Sequence, residues 1–285
     1  MNEDLKIAKL GGRGIIFYLS IVLSSMLGEK SFDYIRREYF HYRIKKKKFK
    51  EREIYFLKNI IFKGDCCIDI GAAQGEYTYI LSKTVGSKGK VYSFEPIGRA
   101  FKKLEELITH YDLKNVSLFN YALGDKNGSA IMLIPLLNNV LCEDVAHLDN
   151  DMGSATHCIK EKVMVKTLDN FVLEHNIEKI DFIKCDVEGA ELQVLEGGKN
   201  TILDFMPIVL CEVEARNLKR FKKEMKDVFL FFSNLNYDSF YLSEDILIKY
   251  EKYNLNDNFR IKEGKYINNF FFVPNSKLSL IEDCI

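Results

Sequence analysis

From residue 53 onward, short apolar runs closed by turn signals alternate with stretches of helical spacing. Residues 53–61 carry apolar side chains at helical intervals, and Lys63-Gly64-Asp65 then turns the chain into the run 66–70. A helical stretch follows over 75–82, the turn 86–90 leads into a strand over 91–95, and 99–111 reads as an amphipathic helix before a strand at 116–119. Further on, the spacing predicts a helix at 168–176, a strand at 180–186, a helix at 191–202, a strand at 207–213 and a helix at 218–232. Residues 240–242 and 270–273 read as late strands that pair with one another. Apolar strands alternating with helices predict a doubly wound α/β fold, its mostly parallel sheet covered on both faces.

The first 52 residues break this pattern, which suggests a basic helical extension (1–52) ahead of a single larger domain (53–285). Residues 15–27 (IIFYLSIVLSSML) are the longest apolar run. As a helix they would cover ~20 Å, short of the ~30 Å hydrocarbon core of a bilayer. The run suits a helix packed on the body or at a homo-oligomer interface, with interfacial membrane contact and a signal segment as alternatives. Residues 36–52 then hold Lys45–Lys48 and Lys50, a charged face that either meets water or draws residues 15–50 to an anionic lipid surface.

Charge sharpens the division. The 285 residues carry 41 basic and 41 acidic side chains, yet residues 1–52 hold 13 basic and 6 acidic ones, leaving the body net acidic. An acidic body argues against nucleic acid as the partner. Seven cysteines without a C-x-x-C pair support neither a zinc ribbon nor a disulfide framework, and the chain reads as cytoplasmic, with the inner face of the membrane as a peripheral station.

The most informative segment is CCIDIGAAQGEYT at 66–78. An apolar strand ends near Asp69, and Gly71 and Gly75 frame a tight turn into a helix. In a doubly wound sheet ligands bind at such strand ends, beside the point where strand order reverses. Glu95 closes the next strand 24 positions after Gly71, where a carboxylate can accept both hydroxyls of a ribose. A nicotinamide dinucleotide wants G-x-G-x-x-G for its pyrophosphate, but Ala73 stands where the second glycine would be. The spacing suits S-adenosylmethionine (SAM), which has a ribose and a carboxylate but no phosphate.

With these residues in view, the chain resembles the FkbM-type SAM-dependent methyltransferases. The stretches that carry the resemblance are KGDCCIDIGAAQGEYT (63–78), VYSFEP (91–96), VMVKTLDNF (163–171), IDFIKCDVEGAELQVLEGG (180–198), PIVLCE (207–212) and NNFFFVP (268–274). The box DVEGAE at 186–191 is the strongest of them. The resemblance implies a class I methyltransferase sheet of seven strands, the last inserted antiparallel. It also implies O-methylation of a hydroxyl on a sugar, glycan or related metabolite, lipid-linked glycans included. The cofactor set carried onto this sequence is Asp69, Gly71, Ala72, Gly75, Tyr77, Thr78, Glu95, Pro96, Asn120 and Ala122. One departure is Ala73, where the family usually has Asn.

Methyl transfer from a sulfonium to an alcohol needs alignment and help in removing the hydroxyl proton. Asp186 ends the predicted strand 180–186, Glu188 follows, and Glu212 ends the neighbouring strand, so these three form the candidate catalytic set. Asp186 is expected to be a buried carboxylate with its pKa raised by desolvation. Asp186 and Glu212 would also suit Mg²⁺ as oxygen ligands, an alternative not favoured over proton transfer. Glu191 is expected to orient the loop, and Lys184 to offset the charge of Asp186 or point to the opposite face. Residues 138–161 read as an irregular insertion whose 153–157 segment, ending at His157, forms a lid. The first 52 residues, outside the resemblance, are expected to be dispensable for SAM binding. Two other functions compete: a non-catalytic nucleoside-binding subunit and a nicotinamide-dependent oxidoreductase.

Overall fold

The computed structural model describes residues 29–49, 51–137, 140–143, 146–149, 157–250 and 267–285. The apolar run 15–27 and residues 153–156 of the expected lid lie outside them. Among the described residues no helix is long and apolar enough to cross a membrane.

Helix α1 (Glu29–Lys45) and the short α2 (Glu53–Phe56) precede the first strand, β1 (Cys66–Ile70). Then come α3 (Glu76–Val85), β2 (Lys90–Phe94), α4 (Gly98–His110) and β3 (Val116–Phe119). The chain next builds β4 (Ala122–Leu123), β5 (Gly128–Leu137), β6 (Val140–Leu141), β7 (His147–Leu148) and β8 (Cys158–Lys166). It returns through α5 (Leu168–Glu174), β9 (Phe182–Cys185), α6 (Glu191–Gly197), α7 (Lys199–Phe205) and β10 (Ile208–Glu212). Helices α8 (Ala215–Lys219) and α9 (Met225–Ser233) lead to β11 (Tyr237–Ser243), β12 (Ile246–Lys249) and β13 (Asn269–Pro274).

The main sheet runs β12-β11-β13-β10-β9-β1-β2-β3. Strands β1, β2, β3, β9 and β10 are parallel, whereas β13 is antiparallel to both β10 and β11. The late strands therefore pair as the sequence predicts, with Phe240 opposite Phe271, and β12 adds an eighth strand at the edge. Each face buries its own cluster: Ile68, Phe94, Ile183 and Phe270 lie on one side, Cys67, Val91, Leu210 and Phe271 on the other. Alternating side chains explain why neighbours such as Phe270 and Phe271 serve opposite layers. Strand order reverses between β1 and β9, which makes their carboxyl ends the crevice of the fold.

Two expectations need correction. Within the segment read as an irregular insertion, residues 140–141, 147–148 and 158–161 belong to a second sheet, β4-β8-β5-β6, in which β5 and β8 pair antiparallel over eight residue pairs and β7 joins β5. His157 is exposed at the end of that hairpin, where its carbonyl accepts the Leu136 N–H. Pro135 inside β5 and the charged β8 masked both strands from a periodicity reading. The long helices expected at 191–202 and 218–232 are instead broken pairs, α6/α7 at Gly198 and α8/α9 around Lys222, whose φ is +55°.

Candidate functional site

The turn after β1 is built on backbone. The Gly71 and Ala72 N–H groups donate to the Phe94 carbonyl at 3.0 Å each, laying the turn across the end of β2. Gly71 has φ +76°, and a Cβ there would stand 1.9 Å from the Asp186 carbonyl oxygen, so no other residue fits this contact. Ala73 takes the left-handed φ of +47°. Asn tolerates that region better than Ala, which gives the departure at this position a local cost. Gly75, at φ +86°, precedes α3, with the side chains of Leu104 and Leu107 filling the space where its Cβ would be.

The carboxylates on this side are occupied by the protein itself. Asp69 is buried between its register partners Ser93 and Lys184, and its Oδ2 accepts the Thr78 hydroxyl at 2.6 Å, with Ser93 Oγ 2.9 Å beyond. Burial pushes the Asp69 carboxyl up to about 6, against the pull of Thr78 and Lys184. Glu95 accepts the Ala73 N–H on Oε2 at 2.8 Å and the Ile97 N–H on Oε1 at 2.9 Å. Asn120 donates to the carbonyls of Glu95 and Pro96 at 2.9 and 3.0 Å, holding the exit of β2. Ala122 pairs with Val165 in the second sheet, partly buried, and Ala72 is buried at the foot of the turn. Tyr77 is buried, and its hydroxyl donates to Glu51 Oε2 at 2.6 Å.

The other side gathers carboxylates. Oxygens of Asp186, Glu188 and Glu212 lie within 4.8 Å of one another. The Asp186 side chain is 30% exposed and meets the buried Lys184 ammonium at 3.1 Å, so the burial expected of Asp186 falls instead on its neighbours. Burial, then Asp186 and Glu191, push the Glu188 carboxyl up to about 7. Glu188 sits at φ +55° and accepts from Asn217 Nδ2 at 2.7 Å. Glu212 is pushed well above the usual carboxylate range by burial and by Asp186, and it accepts the Asn268 amide. Burial works against the Lys184 charge, but Asp186, Glu51 and Glu212 hold its ammonium above the ordinary range. Glu191 accepts the N–H groups of Val187 and Gly189 at 3.1 and 3.0 Å, which orients the 186–191 turn, and burial raises its carboxyl to about 7.

Parallel pairing of β9 and β10 thus brings Asp186, Glu188 and Glu212 together, and Gly71 places the turn after β1 against the Asp186 backbone. Reading the sequence missed Glu51, Asn217, Asn268 and Asn269. Asn268 and Asn269 lead an apolar strand where a polar pair is out of place, a usable signal. Glu51 sits in a charged run and had none.

A family model for the methyltransferase FkbM domain matches residues 69–239. Among curated proteins, the chain is 24% identical over 194 residues to the AMB antimetabolite synthetase AmbE of Pseudomonas aeruginosa, covering 58% of this chain and 9% of that protein. It is 24% identical over 186 residues to Methyltransferase 1 of Beauveria bassiana, covering 56% of this chain and 74% of that one. Among solved structures, the methyltransferase FkbM from Methylobacillus flagellatus shares 14% identity at a TM-score of 0.47, over 75% of this chain and 47% of the other.

Proposed function

The chain belongs to the FkbM methyltransferase family, a family of SAM-dependent enzymes, and on that premise we propose that it O-methylates a hydroxyl of a sugar, glycan or related metabolite. The observation that carries this reading is the meeting of Asp186, Glu188 and Glu212 beside the Gly71 turn. Their chemistry fits SAM. A pocket of several carboxylates around one buried ammonium favours a sulfonium cation and repels the pyrophosphate of a nicotinamide dinucleotide. Glu95, whose oxygens accept the Ala73 and Ile97 N–H groups at the exit of β2, would take the ribose hydroxyls as further donors. Asp69, Gly71, Ala72 and Gly75 would line the methionine end, with Tyr77 and Thr78 behind them and Pro96, Asn120 and Ala122 on the adenosine side.

When bound, SAM supplies a methyl group that is already activated for displacement. Asp186 receives the hydroxyl proton, placed for it beside the Gly71 turn and backed by the Lys184 ammonium at 3.1 Å. Glu188 and Glu212, whose carboxyls burial pushes up, would orient the acceptor oxygen by hydrogen bonding. An Mg²⁺ ion on Asp186 and Glu212 would compete with Lys184 for the same carboxylate, which favours proton transfer. The acceptor class extends to lipid-linked glycans at the inner face of the membrane, supported by exposed Tyr34, Ile35, Tyr39 and Tyr42 on basic α1.

Calorimetric titration with SAM, S-adenosylhomocysteine and NAD tests the premise. The two sulfur-linked nucleosides should bind and NAD should not. Labelled methyl from SAM, offered to a panel of sugars and lipid-linked glycans, should then appear in an alkali-stable ether. Label in an alkali-labile ester or on nitrogen overturns O-ether formation, and activity lost to EDTA and restored by Mg²⁺ overturns the metal-free version.

A further inference from the structure

The front segment does not stand apart from the site. Phe40 and Ile44 of α1 pack in one cluster with Ala72 of the cofactor turn and with Leu104 and Leu107 of α4. Arg43 forms an ion pair with Glu76, the first residue of α3, and its Nε donates to the Lys48 carbonyl at 3.1 Å. Tyr55 closes the bend that follows, donating to the Lys47 carbonyl at 2.7 Å and accepting the Phe49 N–H at 2.8 Å. These contacts deliver Glu51 to the crevice. Its Oε2 accepts the Tyr77 hydroxyl at 2.6 Å and the Asn269 amide at 3.3 Å. Asn269 is the register partner of Glu212, and the Lys184 ammonium lies 4.9 Å from the centre of the Tyr77 ring, within cation–π range. A single chain of contacts therefore runs from Glu51 through Tyr77 and Lys184 to Asp186.

We propose that Glu51, eighteen residues before the matched family segment begins, is a positioning residue of the methyl-transfer site: it fixes the Tyr77 ring that seats Lys184 against Asp186. This rests on the function proposed above and deepens it, because the segment expected to be dispensable becomes part of the site. Glu51 touches neither reacting atom; it acts through the ring, beside the charge it lends to the Lys184 ammonium. The hydroxyl of Tyr77 is held by Glu51, so without that acceptor this end of the ring loses its anchor.

The test uses the full chain and does not need the acceptor. In protein labelled with ¹⁵N-lysine, the buried Lys184 ammonium should give a slowly exchanging signal that is absent from Lys184→Arg. Glu51→Ala and Tyr77→Phe should each speed that exchange about tenfold or more, the scale of one hydrogen bond to a charged group. The double variant should be no faster than either single one, and Glu51→Gln, which keeps an acceptor oxygen for Tyr77, should recover most of the protection. A loss confined to general stability would lower the melting temperature of all variants alike without this rescue. Unchanged exchange in Glu51→Ala, additive effects, or Gln behaving like Ala would each overturn the proposal. SAM titration of the same samples separates the two levels: if the unmutated chain fails to bind SAM, the methyltransferase reading falls while the lysine signal still decides the role of Glu51.

Discussion

At the carboxyl ends of the sheet, acidic residues sit on both sides of the switch point, but their surroundings differ. On the β1/β2 side, Asp69 and Glu95 have their oxygens taken by Thr78, Ala73 and Ile97, donors that also shape the turn. On the β9/β10 side, Asp186, Glu188 and Glu212 crowd within 4.8 Å and share one ammonium and a few amides. Carboxylates of the first kind hold backbone in place. Among the second kind, burial and the charge of Asp186 raise the proton affinity of Glu188 and Glu212, a property useful where a proton is moved. On the function proposed above, the same residue type scaffolds on one side and would perform chemistry on the other, and donor supply makes the difference.

The largest expected effect is on the crowded side. Asp186→Asn should bind SAM nearly as the unmutated chain does while methyl transfer falls by ~10²–10⁴, the usual contribution of a general base. Transfer and calorimetry on the same preparation check this, and near-normal turnover would erase the contrast between the two sides.

On the scaffolding side, Gly71→Ala should destabilise the fold by on the order of 3 kcal/mol, because the methyl would overlap the Asp186 carbonyl at a positive φ. Denaturant unfolding measures it. A mild effect would mean that the turn is not pressed against β9.

A third expectation concerns pH. The folded carboxyl of Glu191 is raised to about 7 from an ordinary value near 4.5, so the folded state keeps a proton that the unfolded chain releases across that window. Stability should therefore fall as pH rises from about 4.5 to 7 and level off above, with a share from this residue on the order of 2–3 kcal/mol. Glu191→Gln keeps an acceptor for the Val187 and Gly189 N–H groups and should show a shallower decline in melting temperature over the same range. An equal slope in both proteins would place the titration elsewhere.

The smallest effect sharpens the scaffolding side. Thr78→Val removes the hydroxyl that satisfies buried Asp69 and should cost ~1–2 kcal/mol in urea unfolding. No change would show that Asp69 is held by Lys184 alone.

Local pattern carries some of this molecule in plain view. Strands of four or five apolar residues cannot face water on either side, so CCIDI, FIKC and IVLCE announce buried parallel strands, and the glycines after CCIDI announce the cofactor turn. The carboxylates at the ends of those strands follow from the same reading, as does the resemblance in the box at 186–191. The second sheet was not legible, because β8 spends its alternation on lysines and glutamates and pairs with a strand more than twenty residues away. Nor was the division of labour among the acids. Asp186 and Asp69 look alike in sequence, each near the end of an apolar strand, yet one ends up beside an exposed edge of the crevice and the other between Ser93 and Lys184.

Composition and periodicity determined the α/β class, the glycine turn after the first strand and the carboxylates at the strand ends, since these depend on interactions within a few residues of each position. Tertiary structure alone decided which acids are satisfied and which are crowded, and that a glutamate from the front segment reaches Tyr77. A carboxylate's proton affinity is set by donors, charges and solvent within a few ångströms, and those come from residues 29 and 56 positions distant, as Asn217 is from Glu188 and Asn268 from Glu212.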